Sequence, residues 1–138
     1  MSFLTQLELK VIGYQAFEVT QPLIYVTTGM TIQVGKGFDF DGASCPQFLW
    51  SLGLSPMGGG YDKSACLHDA LYAGQIFERK ICDELFLEAM ESEGVSYFKR
   101  HAMYYAVRAA GWMVWRNHKE EEVNAYKKFV YCEPSSIL

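Results

Sequence analysis

The sequence lacks the features that mark several common classes of protein. No apolar run approaches the ~20 residues that a membrane-spanning helix needs, so we expect no transmembrane segment. No basic excess is present either, because 16 acidic residues against 12 lysines and arginines give a formal net charge of −4. A general nucleic-acid-binding chain shows the opposite imbalance, and we therefore expect no nucleic-acid partner.

Signals for secretion and for disulfide or zinc chemistry are also missing. The first ten residues, MSFLTQLELK, lack the cationic region and the small-residue cleavage site of a signal peptide. We therefore expect synthesis in the cytoplasm. CxxC spacing is absent from the four cysteines, which are Cys45, Cys66, Cys82 and Cys132. In a reducing compartment such cysteines are predicted to be small core residues rather than disulfide partners.

Several catalytic signatures are absent as well. The chain contains no Walker loop, no GxSxG elbow, no HExxH motif and no EF-hand pattern. A phosphohydrolase of the HD type would need further histidines flanking His68, but the other two, His101 and His118, lie far downstream. These absences disfavour the hydrolase and metalloenzyme classes that those motifs define.

What is present indicates one packed domain over residues 1–138. Half of the residues are hydrophobic and 15% are aromatic, which is enough for a real core. Residues 1–34 are predicted to form the β part, 35–60 connecting loops and 61–132 the helical part. We predict an α+β fold, with an N-terminal antiparallel β-sheet followed by a C-terminal bundle of three or four helices.

Local patterns make this prediction specific at both ends of the chain. Alternation of apolar and polar residues predicts a strand over 3–11 and a hairpin over 23–34. The charged segment 119–131 is predicted to form the last helix, and 133–138 a frayed tail.

The stretch from Tyr61 to Met90 places polar residues on helix faces that should be buried. His68 and Tyr72 are four residues apart and share one face of the first helix. Asp83 lies on the second helix, which is predicted over Lys80–Glu93, and shares its face with large apolar side chains. It needs a partner, because an unpaired buried charge is expensive. If the two helices pack antiparallel, Asp83 is the natural partner of His68. A histidine oriented by an aspartate suits the activation of a water molecule, but the same pair is also a common structural feature.

Three further residues are candidates for supporting or metal-binding roles. Arg108, on an aromatic face of the third helix, can pair with Asp83 or Asp69, or stack on a ring. Asp41 and nearby carbonyls offer hard oxygen ligands for a divalent cation, and Asp69 is a second carboxylate next to His68. For Asp41 the alternative is ordinary turn chemistry in a glycine-rich loop between the sheet and the helices.

The ordered segments FDFDGASCP, LHDALY, RKICDELF and AVRAAGW, between about residues 35 and 116, resemble an uncharacterised family of proteins encoded by tailed bacteriophages and prophages. The resemblance covers most of the chain and implies a viral origin, with synthesis in the cytoplasm of the host. That family is a domain of unknown function, so it implies no activity.

A second, local resemblance concerns chemistry. The pattern His68-Asp69-x-x-Tyr72, followed by Asp83 and Phe86, is similar to the helix pair of phospholipase A-two enzymes. The resemblance implies that His68 is the general base and that Asp83 orients it. It further implies that Asp69 ligates calcium and that Tyr72 supports Asp83. The glycine-rich calcium loop of those enzymes has no clean counterpart here, and their bracing disulfides are not implied.

These resemblances together predict a phage-encoded accessory protein with a phospholipase-like hydrolase site. The cofactor would be calcium, the substrate a lipid or ester, and the place of action the host envelope during entry or lysis. One alternative is a non-catalytic virion or tail component, bound to other virion proteins, in which the polar cluster is a buried structural lock. Another is a host-modulating binding protein that uses its aromatic surface.

Overall fold

The computed structural model describes residues 1–13, 16–40 and 60–134. In those residues the chain forms seven β-strands, four α-helices and a short 3-10 turn. The strands are β1 (Ser2–Phe3), β2 (Leu9–Gly13), β3 (Ala16–Val19), β4 (Leu23–Thr27), β5 (Met30–Val34), β6 (Asp39–Phe40) and β7 (Val130–Pro134). The helices are α1 (Asp62–Gly74), α2 (Arg79–Ser92), α3 (Tyr97–Asn117) and α4 (Glu120–Tyr126), and the 3-10 turn is Lys127–Phe129. This order confirms the predicted α+β class, with antiparallel strands followed by helices.

The described strands pair into two antiparallel sheets. The larger has the order β1-β4-β5-β7 and the smaller the order β2-β3-β6. The predicted hairpin over 23–34 is confirmed as β4 and β5, and pairing of Thr27 with Met30 leaves a two-residue loop between them. Gly29 in that loop has a φ of +77°, which glycine adopts without the steric penalty of a Cβ atom. The hairpin forms the centre of the larger sheet.

The single strand predicted over residues 3–11 is wrong. The chain bends after Phe3, so that β1 and β2 belong to different sheets. The Thr5 hydroxyl donates to the carbonyl of Pro22 and accepts from the amide of Ile24, both at 3.0 Å. These bonds hold the bend against the start of β4. The threonine side chain takes the place of backbone hydrogen bonds that a continuous strand would make to its neighbour.

The predicted last helix is too long. α4 ends at Tyr126, and β7 runs over part of the segment expected to be helix and tail. β7 pairs with the outer edge of β5, placing Val130 opposite Val34. Val130 is buried, and a Cβ built on Gly74 would lie 3.5 Å from its side chain. Burial against α1 and pairing with an open strand edge outweigh the weak helical pattern of this segment.

Helix α1 lies at the centre of the molecule. Its residues from Ser64 to Gly74 are all buried. Leu67 and Leu71 join the core formed by the inner face of the larger sheet, and Ala65 joins a second core with α2 and α3. A helix that is buried on every side has no polar face turned to water. Its polar side chains must therefore find partners inside the protein.

Two of the cysteines have the predicted role. Cys66 and Cys82 are free and buried, whereas Cys132 is exposed on β7, so the prediction of a core position is wrong for that residue. Cys45 lies outside the described residues. Burial raises the pKa of Cys66 well above its ordinary value and that of Cys82 to about 12. Neither buried thiol therefore supplies a thiolate at neutral pH.

Candidate functional site around His68 and Asp83

The packing of α1 against α2 brings His68 to Asp83. Nε2 of His68 lies 2.7 Å from Oδ1 of Asp83, and the two residues are 1% and 0% exposed. This confirms the hydrogen bond predicted from their positions on the two helices. The contact lies between the two cores, where a hydrogen bond is poorly screened by solvent.

Asp83 accepts hydrogen bonds from four side chains. His68 and Tyr72 both approach Oδ1, and the Tyr72 hydroxyl donates at 2.6 Å. Nη1 of Arg108 donates to Oδ2 at 2.8 Å, and Nη1 of Arg79 donates to the same oxygen at 3.3 Å. Both carboxylate oxygens are thus satisfied by partners from α1, α2 and α3. The structure therefore brings together four of the predicted residues, His68, Tyr72, Asp83 and Arg108, with one that was not predicted.

The protonation states follow from these contacts. Burial by itself raises the pKa of Asp83, but hydrogen bonds from His68, Tyr72 and Arg108 outweigh it, so the pKa lies below its ordinary value. Asp83 is therefore ionised at neutral pH and can only accept hydrogen bonds. Since Asp83 cannot donate, Nε2 of His68 must carry the shared proton.

His68 itself is neutral. Its burial lowers the pKa of the imidazole below the ordinary value, and this outweighs the opposite effect of the Asp83 hydrogen bond. With the proton on Nε2, the ring nitrogen Nδ1 keeps its lone pair. Among the described residues no hydrogen bond to Nδ1 is found. Nδ1 can therefore accept a proton, and the hydrogen bond from Nε2 to Asp83 fixes the direction in which its lone pair points.

Aromatic side chains hold the imidazole plane. Phe86 stacks on His68 with ring centroids 4.4 Å apart and an interplanar angle of 25°. The Tyr72 ring lies 4.3 Å from His68 on centroids, and Trp115 packs edge-on against Tyr72 at 5.2 Å. Both the position and the tilt of the imidazole are therefore determined by packing as well as by its hydrogen bond.

Arg79 is the site residue that sequence reasoning missed. It lies four residues before Asp83 on α2, the spacing at which side chains of one helix meet. Its guanidinium also donates to the carbonyls of Val107 and Arg108, at 3.0 and 3.4 Å. The i, i+4 spacing was a usable signal, but the helix was predicted to begin at Lys80, which excluded Arg79 from it. Arg79 connects α3 to the carboxylate.

Gly111 is a second contributor that the sequence did not indicate. It is buried in α3, and a Cβ built on it would lie 2.6 Å from the Tyr72 hydroxyl oxygen and 3.3 Å from Nη1 of Arg79. Glycine is poorly suited to a helix interior, where it is about 1 kcal/mol less favourable than alanine. Its presence is explained by the close approach of Tyr72, which leaves no room for a side chain.

We expect the substitution Gly111→Ala to destabilise the protein by about 1–3 kcal/mol, because the added methyl group overpacks the site and displaces the Tyr72 hydroxyl from Asp83. Urea unfolding measures the change. Gly13→Ala is the matched control, since the nearest atom to its added Cβ is 3.6 Å away, an ordinary contact. The control should change stability by no more than about 0.5 kcal/mol. A Gly111→Ala protein as stable as the parent would contradict this account of the close approach.

The two predicted metal ligands are placed differently. Asp69 follows His68 in α1 and is 8% exposed, whereas Asp41 lies outside the described residues, as do residues 57–59 of the adjoining loop. A carboxylate such as Asp69 is an oxygen ligand of the type that calcium prefers. Within residues 1–13, 16–40 and 60–134, no group of three or more His, Cys, Asp or Glu side chains can hold a metal ion. The described residues therefore supply Asp69 as one suitable ligand and not a complete set.

The fold and the site define a small α+β domain with a buried centre of histidine, aspartate and arginine. Residues 17–107 match the family described as "Protein of unknown function (DUF1353)", and the chain belongs to that family. The matched segment runs from β3 into α3. It includes His68 and Asp83 and ends one residue before Arg108.

A relative with a longer chain shares part of this sequence. Over 83 residues the chain is 34% identical to "Uncharacterized protein y4jT" of Sinorhizobium fredii (strain NBRC 101917 / NGR234). The alignment covers 60% of this chain and 25% of the relative, so this chain spans about a quarter of that curated relative's length. No solved structure matches the chain.

Proposed function

We propose that the His68–Asp83 centre is the general-base site of a hydrolase that cleaves carboxylic esters, with lipids as the substrate class. The observation that supports this most directly is the state of His68. A neutral imidazole, oriented through Nε2 by an ionised carboxylate, keeps a lone pair on Nδ1 that can accept a proton, and none of the described residues donates a hydrogen bond to it. The local resemblance of His68, Tyr72 and Asp83 to the phospholipase A-two helix pair supports the same chemistry.

In the proposed reaction, Nδ1 of His68 removes a proton from a water molecule while the water oxygen bonds to the ester carbonyl carbon. The resulting imidazolium is stabilised by Asp83 through the Nε2 hydrogen bond. The same proton then passes from Nδ1 to the leaving alkoxide oxygen as its bond to the carbonyl carbon breaks. The products are a carboxylic acid and an alcohol, and His68 returns to the neutral form.

Calcium is proposed as the cofactor, held by Asp69 and, from the undescribed part of the chain, Asp41. When bound, it would supply positive charge that favours the negative charge developing on the substrate. His68 and Asp69 are adjacent in α1 and so lie about 100° apart around the helix. One side chain can therefore face Asp83 while the other faces a ligand.

We infer further that the chain is encoded by a tailed phage or a prophage and acts at the host envelope during entry or lysis. This is supported by the resemblance of the ordered segments from FDFDGASCP to AVRAAGW to phage-encoded proteins. Mass spectrometry of purified virions would separate a virion component from a protein that stays in the host.

The substitution His68→Gln tests the hydrolase. Loss of a general base is expected to reduce the rate of ester or phospholipid hydrolysis by about 10²–10⁴-fold. The parent's rate should fall at acid pH, as His68 becomes protonated through a pKa that lies below its ordinary value. His118→Gln is the control, because His118 lies just after α3, with Nδ1 3.9 Å from Oε2 of Glu122 and outside the His68–Asp83 site. A parent protein that hydrolyses neither substrate, with or without calcium, would overturn the proposal.

A structural lock is the second candidate, and the burial of the site favours it. His68 is 1% exposed and Asp83 is 0% exposed, with four donors saturating the carboxylate. In a non-catalytic virion or tail component this network would join α1, α2 and α3. His68→Gln would then lower the melting temperature strongly, in a parent without hydrolytic activity. In the hydrolase, the same variant loses activity and largely keeps its stability.

A further inference from the structure

Helix α3 carries an unusual amount of exposed apolar surface. Half of the exposed large apolar side chains in the described part of the chain belong to this one helix. They are Tyr97 (69% exposed), Phe98 (84%), Tyr105 (65%), Trp112 (46%), Met113 (48%) and Val114 (38%). A concentration of this kind on one element marks an interaction surface more often than scattered single residues do.

The aromatic members lie on one side of the helix. At about 100° per residue, Tyr97, Phe98, Tyr105 and Trp112 fall within an arc of about 100°. His101 continues the row, stacked on Tyr97 at 4.0 Å and 6.5 Å from Tyr105, measured between ring centroids. These five residues are called the α3 aromatic face below. The opposite side of α3, with Met103 and Val107, packs into the core.

The charge of α3 is opposite to that of the chain as a whole. α3 contains Lys99, Arg100, Arg108 and Arg116 and no acidic residue, whereas the whole chain has a formal net charge of −4. Arg108 is bound to Asp83 and Arg100 lies 3.9 Å from Glu91, so Arg116 is the cation that accompanies the aromatic face. The guanidinium of Arg116 lies 5.7 Å from the centroid of the Trp112 ring. Tyrosine, tryptophan and cationic side chains on one helix are the composition of surfaces that lie at the interface of a bilayer with water.

The size of the face bears on whether a second copy of the chain covers it. Taking ~200 Å² for an aromatic side chain, the exposed fractions of its four aromatic residues amount to about 500 Å². A stable interface between proteins usually buries about 800 Å² on each partner. The α3 aromatic face alone is therefore small for a stable dimer. No such minimum applies to a bilayer surface, where affinity adds up from apolar area and charge.

We propose that the α3 aromatic face binds the surface of an anionic lipid bilayer, with α3 lying along the membrane plane. The contact is peripheral, since among the described helices none has the length and apolar character to cross a bilayer. This proposal rests on the proposed function in one respect, which is that lipids are also the substrate class of the proposed hydrolase. α3 supplies Arg108 and Gly111 to the His68–Asp83 site, so one rigid helix joins the bilayer surface to the site.

Flotation with vesicles tests the surface. The parent protein is expected to float with vesicles of phosphatidylglycerol and phosphatidylcholine in equal parts, and to bind less at high salt because charge attraction is screened. The triple variant Phe98→Ser, Tyr105→Ser, Trp112→Ser should bind at least about tenfold more weakly, a loss of about 1.4 kcal/mol. Leu4→Ser, Val11→Ser, Ile12→Ser is the matched control, because these side chains are also exposed, at 56%, 71% and 47%, but lie in the β part. The control should bind as the parent does.

Three results would overturn the proposal. The first is a parent that does not bind the anionic vesicles, and the second is a triple variant that binds them as well as the control does. The third is self-association of the parent that the triple variant abolishes, without vesicle binding, which would assign the face to a second copy of the chain.

Hydrolysis of a water-soluble short-chain ester separates this proposal from the proposed function. The triple variant should keep that activity at the parent's rate, because no member of the substituted set touches His68 or Asp83. Vesicle binding by a parent without any hydrolysis would overturn the hydrolase and support the membrane surface. Hydrolysis without vesicle binding would support the hydrolase and overturn the membrane surface.

Discussion

Replacing Asp83 by alanine is expected to lower the free energy of unfolding by about 3 kcal/mol, the lower end of the range for breaking a buried ion pair. The loss is large because Asp83 is fully buried and joins side chains from three helices. Without it, Arg79 and Arg108 face each other's positive charge with no carboxylate between them. The side chains of Arg79 and Arg108 are 19% and 29% exposed and keep part of their hydration, which places the loss at the lower end.

Glu84→Ala is the matched control for this experiment. Glu84 follows Asp83 on α2 but is exposed, and its loss should change the stability by no more than about 0.5 kcal/mol. Urea unfolding of both variants at neutral pH gives the comparison. Equal stabilities for Asp83→Ala and Glu84→Ala would show that the network around Asp83 contributes little to the fold.

The stability contributed by Asp83 should depend on pH. Because its pKa is lower in the folded protein, this stability is present above the unfolded pKa of about 3.9 and is lost as the pH falls through the folded value. The difference between the parent and Asp83→Ala should therefore shrink in strong acid. A difference that stays constant down to the acid transition would contradict the ionised state of Asp83.

Phe86→Ala is expected to destabilise the protein by about 3–5 kcal/mol, the usual effect of removing a buried phenylalanine ring. Phe86 is 3% exposed, and its ring stacks on His68 and joins the core with Tyr61 and Met90. The substitution leaves a cavity beside the imidazole, so we also expect a loss of the fixed ring orientation on which the proposed base depends.

Phe98→Ala makes the same chemical change at a residue that is 84% exposed. It should alter the free energy of unfolding by no more than about 0.5 kcal/mol. Thermal unfolding of the two variants side by side isolates the effect of burial from that of the side chain. Similar melting temperatures would mean that Phe86 is not part of a close-packed core.

Much of the candidate site was predictable because it depends on helical spacing. The i, i+4 relation of His68 and Tyr72, and the apolar surroundings of Asp83, were enough to predict that these residues meet. For Arg108, on an aromatic helix face, the sequence left pairing with Asp83, pairing with Asp69 and stacking on a ring as alternatives, and the structure shows the first. Helix periodicity and the cost of a buried charge are both properties of the local sequence.

The remaining contributors depend on contacts between helices. Gly111 matters because Tyr72, from another helix, approaches it closely, and no local pattern encodes that distance. Arg79 was missed through a helix boundary one residue too late, and its bonds to α3 carbonyls require the packing of α2 on α3. The exact end of a helix is weakly encoded, because helices that end at neighbouring residues differ little in free energy.

The sequence by itself determined the α+β class, the β4–β5 hairpin, the central helices and the polar pair that they carry. Apolar periodicity and turn residues act over a few neighbours, so one chain without coordinates reveals them. Only the tertiary structure decided which strands share a sheet. β1 and β2 separate because Thr5 bonds to the start of β4, and β7 forms because β5 offers an open edge and α1 offers Val130 a buried position. Both outcomes depend on partners far away in the chain, whose pairing energy outweighs the local preference of the segment.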